Sequence, residues 1–543
     1  MISCDKWSVW LLTIVHFWGR NSLFIFLNFE TAINYIKGRI FMITSITLEK
    51  YKSFRESTTI DLKPLTILCG VNSSGKSSVL KSLLMMKQTV EKESPYNKLA
   101  FMGNYVDNGY FEDIVNDSCS NDGFFTVKNA FVVSRYSKSQ KKRQDMQSFK
   151  ELNKLYSQVP DSKSIFRYRI DHFIKVARSD SKGLLSYIDN NNIVETKIEI
   201  RAYNKSGKEL DGFNGFISLI KDIKTPNGRE YFLSYRNLPL NKKIISLSDN
   251  QKDRLVCYFN NIKLTNFYKD GGIKADTLYL KPTIMSLFNI TSMMYTGIKF
   301  LAPLRQFPSR FYTISGDVSS VGIYGENAPV LLAKLQSEPA AYEIAIPESF
   351  NIDNTNEYRN KNTVYNFKQQ AQKWFDYMEL GDVDINGENG QISVAFSSHN
   401  ISDIGFGVSQ VMPIIVQGLS MMKDELLLLE QPEIHLHPKM QMKMADFLIA
   451  LADSERNLIV ETHSDHIINR IVRRCLEKPD LIDKISILFL SKSEDDSTKI
   501  EEIKVDTHLG IDEAPIDFFD QYASETDAII QNGYQNMMRD NDV

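Results

Sequence analysis

In Gly70-Val71-Asn72-Ser73-Ser74-Gly75-Lys76-Ser77, two glycines bracket four residues and are followed by a lysine and a hydroxyl. This is the pattern of a phosphate-binding loop. The glycines let backbone N–H groups curl around phosphate oxygens, the lysine reaches the β- and γ-phosphates, and the hydroxyl ligates Mg²⁺. The candidate ATP contacts are Gly70, Asn72, Ser73, Ser74, Gly75, Lys76, Ser77 and Ser78, with Ser77 also the first candidate Mg²⁺ ligand. Such a loop works only between a strand and a helix. Leu65 to Cys69 supplies the apolar strand, and the spacing of Val79, Leu80, Leu83 and Leu84 predicts a helix from Lys76 that ends before Pro95.

Three later segments extend the chemistry. Leu426-Leu427-Leu428-Leu429-Glu430 resembles a Walker B strand, which brings a carboxylate to Mg²⁺ opposite the loop, so Glu430 is the second candidate metal ligand. Ile459-Val460-Glu461-Thr462-His463-Ser464 resembles the strand and switch histidine of ABC ATPases, whose imidazole contacts the γ-phosphate. Asp403-Ile404-Gly405-Phe406-Gly407-Val408-Ser409-Gln410 resembles the ABC signature loop, which reads the γ-phosphate of ATP held by a second subunit through Gly407 and Ser409. One departure follows the Walker B strand. ABC ATPases carry an acid pair there, the second acid polarising the attacking water, whereas this chain reads Glu430-Gln431. An amide cannot accept a proton from water at neutral pH. Either Glu433 or another residue takes that role, or hydrolysis is slow and bound ATP acts mainly as a switch. The catalytic candidates are therefore Glu430, Gln431, Glu433 and His463. His435 and His437 are metal-ligand types, but they sit where the D-loop of these ATPases lies, and no metal role is assigned to them.

These residues need a scaffold. From Met42 the pattern is strand, strand, loop and helix, with Ile43 to Leu48 as the first strand. Near the other end, Glu425 to Leu429 and Asn457 to Val460 read as buried strands. Between them Pro438 opens a helix with Met440, Met444, Phe447, Leu448 and Leu451 on one face. The alternation predicts a parallel sheet covered by helices. The middle of the chain is mixed and polar, with strand-like pieces such as Tyr231 to Tyr235, a basic run from Lys138 to Arg143, and no sustained heptads. The expected organisation is a leader (1–41), an N-terminal half of a head (42–121), an insertion (122–296), and a C-terminal half with a short end segment (297–543). The expected fold class is α/β, a P-loop NTPase head of the ABC/SMC type with a mixed sheet and a large insertion between its halves.

The totals set bounds. The 543 residues exceed one usual domain, and 43% hydrophobic content is enough for a large core. A net charge of -3 means that any contact with nucleic acid must come from a local basic patch. The five cysteines lie far apart with no CxxC pair, which fits a reducing, cytoplasmic setting. Trp7 to Phe29 is apolar, but Arg20 and Asn21 interrupt it before the ~20 residues that a membrane span needs. No membrane role is expected, and Met42 is the preferred start of the folded chain.

The four motifs, together with Phe300-Leu301-Ala302-Pro303-Leu304-Arg305, Arg310 and Gly322…Gly325-Glu326-Asn327, resemble the AAA-21/overcoming-lysogenization-defect-like ATPases. The tail Pro515-Ile516-Asp517-Phe518-Phe519-Asp520-Gln521 resembles the subgroup that holds the Septu antiphage ATPase and its retron-associated relatives. The resemblance covers about 42–111 and 299–521. It implies a cytoplasmic ATPase that binds ATP and Mg²⁺ and pairs head to head in a homo-oligomer. It also implies either a C-terminal TOPRIM nuclease or a separate HNH nuclease as partner, some members adding a reverse transcriptase with its RNA–DNA. The stretch after His463 is shorter than a TOPRIM domain with its sheet would need, and Glu494-Asp495-Asp496 reads as a solvated turn, so a partner nuclease is the expectation. The alternative is an SMC-like ATPase of DNA repair or genome maintenance. The trigger, the nucleic acid cut, the stoichiometry and the role of 122–296 are not legible.

Overall fold

The computed structural model describes residues 41–532, apart from 135–151, 153–163, 179–190, 223–228, 247–252, 269–274, 348–365, 520–524 and a few shorter loop positions. Most of the leader (1–40) and the basic run Lys138–Arg143 lie outside the described residues.

Unbroken apolar runs make the central sheet. Its six strands stand in the order Ile298–Leu301, Leu426–Glu430, Asn457–Glu461, Leu65–Gly70, Ile485–Lys492 and Thr498–Ile503. The first five are parallel and the last is antiparallel. A strand covered on both faces has no wet side and reads as continuous hydrophobe, as LLLL and ISILFL do here. Alternate side chains feed two cores. Leu68, Leu428, Ile459 and Leu488 face the helix Lys76–Glu91, whereas Ile67, Leu427, Leu429, Leu458 and Val460 join a core built with the helices Phe406–Ser420, Pro438–Asp453 and Asp465–Glu477.

A second sheet covers the first core. Its nine antiparallel strands run in the order Lys263–Tyr268, Asp253–Asn260, Glu230–Arg236, Gly215–Lys221, Asn191–Tyr203, Arg167–Arg178, Phe124–Ser134, Phe41–Glu49 and Thr58–Asp61. Residues 122–296 supply every strand except the pair at one edge, so this region continues the sheet that begins at Phe41. Its strands alternate buried and half-exposed positions, as in Asn191–Tyr203, which is the pattern of a sheet with one wet face. The helix Ala275–Thr296 packs beneath it against the helix Lys76–Glu91.

Among the described residues no helix is long and apolar enough to cross a membrane. In the tail, Phe518 is buried with its ring 5.6 Å from that of Phe489, and Phe519 stacks edge-on at 5.2 Å. Ile516, Asp517, Asp520 and Gln521 lie outside the described residues. Glu494-Asp495-Asp496 is the turn between the strands Ile485–Lys492 and Thr498–Ile503, where Asp495 accepts hydrogen bonds from Ser493, Ser497 and Arg55.

Candidate nucleotide site

The parallel strands all end at one edge, where the loop Gly70–Ser77, Glu430 and the switch segment after Glu461 stand. The strand Leu65–Gly70 breaks at Gly70, whose φ is 127° and where a Cβ would stand 2.0 Å from the carbonyl oxygen of Leu490. Only glycine tolerates both. Gly75, at φ 103°, ends the loop as the N-cap of the helix Lys76–Glu91. Asn72 and Ser73 are exposed, and Ser77 and Ser78 are half-buried in the first turn. The loop is braced from behind by Thr498, whose hydroxyl donates to the Ser74 carbonyl at 2.8 Å and pairs with the Ser53 hydroxyl at 2.7 Å. Lys76 Nζ donates to the carbonyls of Gly70 at 3.0 Å and Val71 at 2.6 Å. Burial lowers its pKa, a shift opposed by the nearby Glu461 carboxylate.

Two carboxylates end neighbouring strands in register, Glu430 beside Glu461. Ser77 Oγ donates to Glu461 Oε1 at 2.9 Å, so the acid that touches the candidate metal-ligating hydroxyl is Glu461, a residue not among the sequence candidates. Burial, then repulsion from Glu461, pushes the Glu430 carboxyl up to about 7, while Lys81 and Arg305 oppose the rise. Burial also raises Glu461, and its second oxygen is buried with no hydrogen-bond partner. Two desolvated, mutually repelling acids beside a hydroxyl offer oxygen ligands to a cation, which would relieve their repulsion. The residues therefore fit Mg²⁺, with Ser77, Glu430 and Glu461 as the groups that would hold it. Ser74 Oγ, buried without a partner in the loop, fits a phosphate-facing role.

Glu433 is engaged elsewhere. Its Oε1 accepts the backbone N–H of His463 at 2.7 Å, and its Oε2 accepts the Thr462 hydroxyl at 2.8 Å. Burial raises its pKa, and these hydrogen bonds oppose the rise. It thus clamps the switch segment after the strand Asn457–Glu461 and leaves the His463 side chain exposed, its pKa lowered by desolvation and then by Lys76. Ser464 caps the helix Asp465–Glu477 and donates to Gln441 Oε1 at 2.6 Å, while Gln441 donates to the Leu436 carbonyl at 2.8 Å. The switch and the Ile434–His437 turn are therefore tied together. His437 Nδ1 accepts from Lys439 N as the N-cap of the helix Pro438–Asp453. Among the described residues no three His, Cys, Asp or Glu side chains gather around a metal position.

Gln431 follows Glu430 with φ 43°, held by its N–H donating to the Glu461 carbonyl at 2.7 Å. Arg305 donates to the carbonyls of Glu430 at 2.9 Å and Gln431 at 3.0 Å. The signature segment opens the helix Phe406–Ser420, whose N-terminal end presents exposed Gly405 and half-buried Gly407. Ser409 is 4% exposed, one turn inside the helix. The surface that can meet a phosphate is thus the free N–H end at Gly405–Gly407.

The sequence pattern missed Glu461 and Arg305. The signal for Glu461 was available: an acid ending a strand of five buried residues, directly before the switch threonine and histidine. Arg305 stood in a segment of family resemblance with no physical role attached.

A family model for the AAA ATPase domain matches residues 42–468. No curated protein matches the chain. Among solved structures, the SMC head domain from Thermotoga maritima is similar at TM-score 0.31 and 11% identity, over 85% of this chain and 99% of that one. The Smc head domain with an extended coiled coil, bound to the C-terminal domain of ScpA derived from Pyrococcus furiosus, is similar at TM-score 0.34 and 12% identity, over 86% and 97%. The family match spans most of the chain and includes the loop, both acid-bearing strands and the switch: this protein belongs to the AAA ATPase domain family and is an ATPase.

Proposed function

We propose that this ATPase is a slow, ATP-gated switch whose heads pair around two ATP molecules, and that the paired state regulates a partner nuclease of the HNH type in antiviral defence. The observation that carries the slow-switch reading is the Glu430-Gln431 turn. Position 431 carries an amide where the usual general base would stand, and each oxygen of Glu433 already accepts a hydrogen bond from the switch segment. In this reading Lys76 holds the β- and γ-phosphates, and Ser77, Glu430 and Glu461 hold Mg²⁺. His463 meets the γ-phosphate, and Gly405–Gly407 of the second head close over it. A conformational change shifts an equilibrium only through differential contacts, and a γ-phosphate bridging two heads supplies them.

The defence role rests on the resemblance of Phe300 to Arg305, of Gly322 to Asn327, and of the tail around Phe518. A reverse transcriptase with its RNA–DNA belongs to the same proposal, as does a cytoplasmic setting. Arg167 and Arg169, which follow the basic run Lys138–Arg143 in the sequence, are engaged on the nine-stranded sheet: Arg167 over the Tyr203 ring at 5.1 Å, and Arg169 with Asp171 at 3.1 Å. The test is co-purification from the native host, followed by nuclease assay with and without ATP. Recovery of a nuclease whose cutting depends on ATP is the expected result. Recovery of the ATPase alone, with no ATP effect on DNA or RNA cleavage, overturns the defence reading in favour of genome maintenance.

A further inference from the structure

Residues 303–311 invert the usual partition of side chains. Leu304, Phe307 and Phe311 are 65%, 75% and 61% exposed, yet Arg305 among them is 2% exposed. Burying a guanidinium is costly unless its donors are used. Arg305 uses them on backbone: its two terminal nitrogens reach the carbonyls of Pro303, Glu430 and Gln431 at 3.2, 2.9 and 3.0 Å. Its Nε is buried without a hydrogen-bond partner, and the carboxylates of Glu433 and Glu430 hold its charge in place against desolvation. Five residues on, Arg310 bonds Asp403 at 2.6 Å, two residues before the exposed end of the signature helix. The same loop is therefore fastened to the turn after Glu430 and to the surface that meets a second head.

We propose that Arg305 is a positioning residue for ATP hydrolysis. By gripping consecutive carbonyls it fixes the left-handed turn at Gln431, and so the placing of the Gln431 amide and the Glu430 carboxylate against the γ-phosphate. This rests on the reading that the Glu430-Gln431 turn faces the γ-phosphate. Arg305 reaches three carbonyls from two nitrogens of one rigid fork, whereas a lysine ammonium donates from a single point on a flexible stem. Binding of ATP is the task of the loop Gly70–Ser77, which Arg305 does not touch. Its loss should therefore slow the chemical step and spare affinity.

The experiment measures MgATP dissociation constants and single-turnover hydrolysis for wild type, Arg305→Lys and Arg305→Gln, with a thermal melt of each. The expected result is hydrolysis slowed about 10²-fold in Arg305→Gln and about tenfold in Arg305→Lys, with ATP affinity within about threefold of wild type in both. Wild-type rates in either folded variant, or affinity falling as far as rate, overturn the proposal. If Arg305→Gln fails to fold, Arg305→Lys decides alone. Failure of the site itself is read separately from Lys76→Ala, which then binds ATP like wild type.

Discussion

The two sheets of this head solve opposite problems. The nine-stranded sheet alternates buried and half-exposed side chains and pairs many of its polar groups locally. His172 sits between the Tyr295 and Thr196 hydroxyls, and Lys50 and Lys175 both lie over the Phe124 ring. The six-stranded sheet is apolar along its five parallel strands and brings several unsatisfied or left-handed groups together at one end of them. There stand the orphaned oxygens of Glu461 and Ser74, the unpartnered Nε of Arg305, and left-handed residues at Ser73, Gln431 and His435. Strain and unpaired polarity cost stability, and they persist where a ligand resolves them. In the proposed reading the nine-stranded sheet is scaffold, and the strand ends of the six-stranded sheet are the working surface.

The comparison breaks first at Gln431. Gln431→Glu restores a carboxylate beside the reacting water and should raise the single-turnover rate by about 10²–10⁴. No acceleration, together with activity lost in Glu433→Gln, assigns the base to Glu433 and removes the slow-switch reading. Next comes Lys76→Ala, which should weaken ATP by about 10²-fold or more through lost charge-assisted bonds to phosphate, while the ligand-free melt stays nearly constant. A comparable fall in the melt would make Lys76 a scaffold residue. Gly70→Ala places a Cβ against the Leu490 carbonyl at positive φ and should cost about 2–4 kcal/mol in a denaturant titration.

The smallest effect lies in the scaffold. Burial holds His172 neutral, its folded pKa pushed down to about 3 from 6.5. Below 6.5 the unfolded chain takes up a proton that the folded chain refuses, so stability falls as pH drops through that window. Between pH 7 and 5 this contributes a loss of about 2 kcal/mol, which His172→Gln should remove while leaving ATP affinity unchanged. An identical pH slope in the variant shows that His172 is not the group responsible.

Legibility followed the same division. The strands ending in Gly70, Glu430 and Glu461 could be read because an apolar run followed by glycine or acid has few alternative folds. The helices from Lys76 and Pro438 showed themselves through their spacing. Continuity of residues 122–296 with the strand from Phe41 could not be read, since pairing of Met42 with Val132 or Asn129 with His172 is set by long-range register, which composition does not encode. Within the candidate site, the loop and Glu430 could be named by type. Glu461 against Ser77 and Arg305 across the Glu430 turn needed three dimensions, because their partners lie hundreds of residues or more than a hundred away in sequence.

The most direct test of ATP-gated pairing is sedimentation velocity of wild type and Lys76→Ala, each with and without MgATP. The account predicts that MgATP shifts wild type to a larger assembly that persists for minutes, because hydrolysis is slow, and leaves Lys76→Ala unchanged. Wild type that binds ATP with no change in sedimenting mass contradicts it.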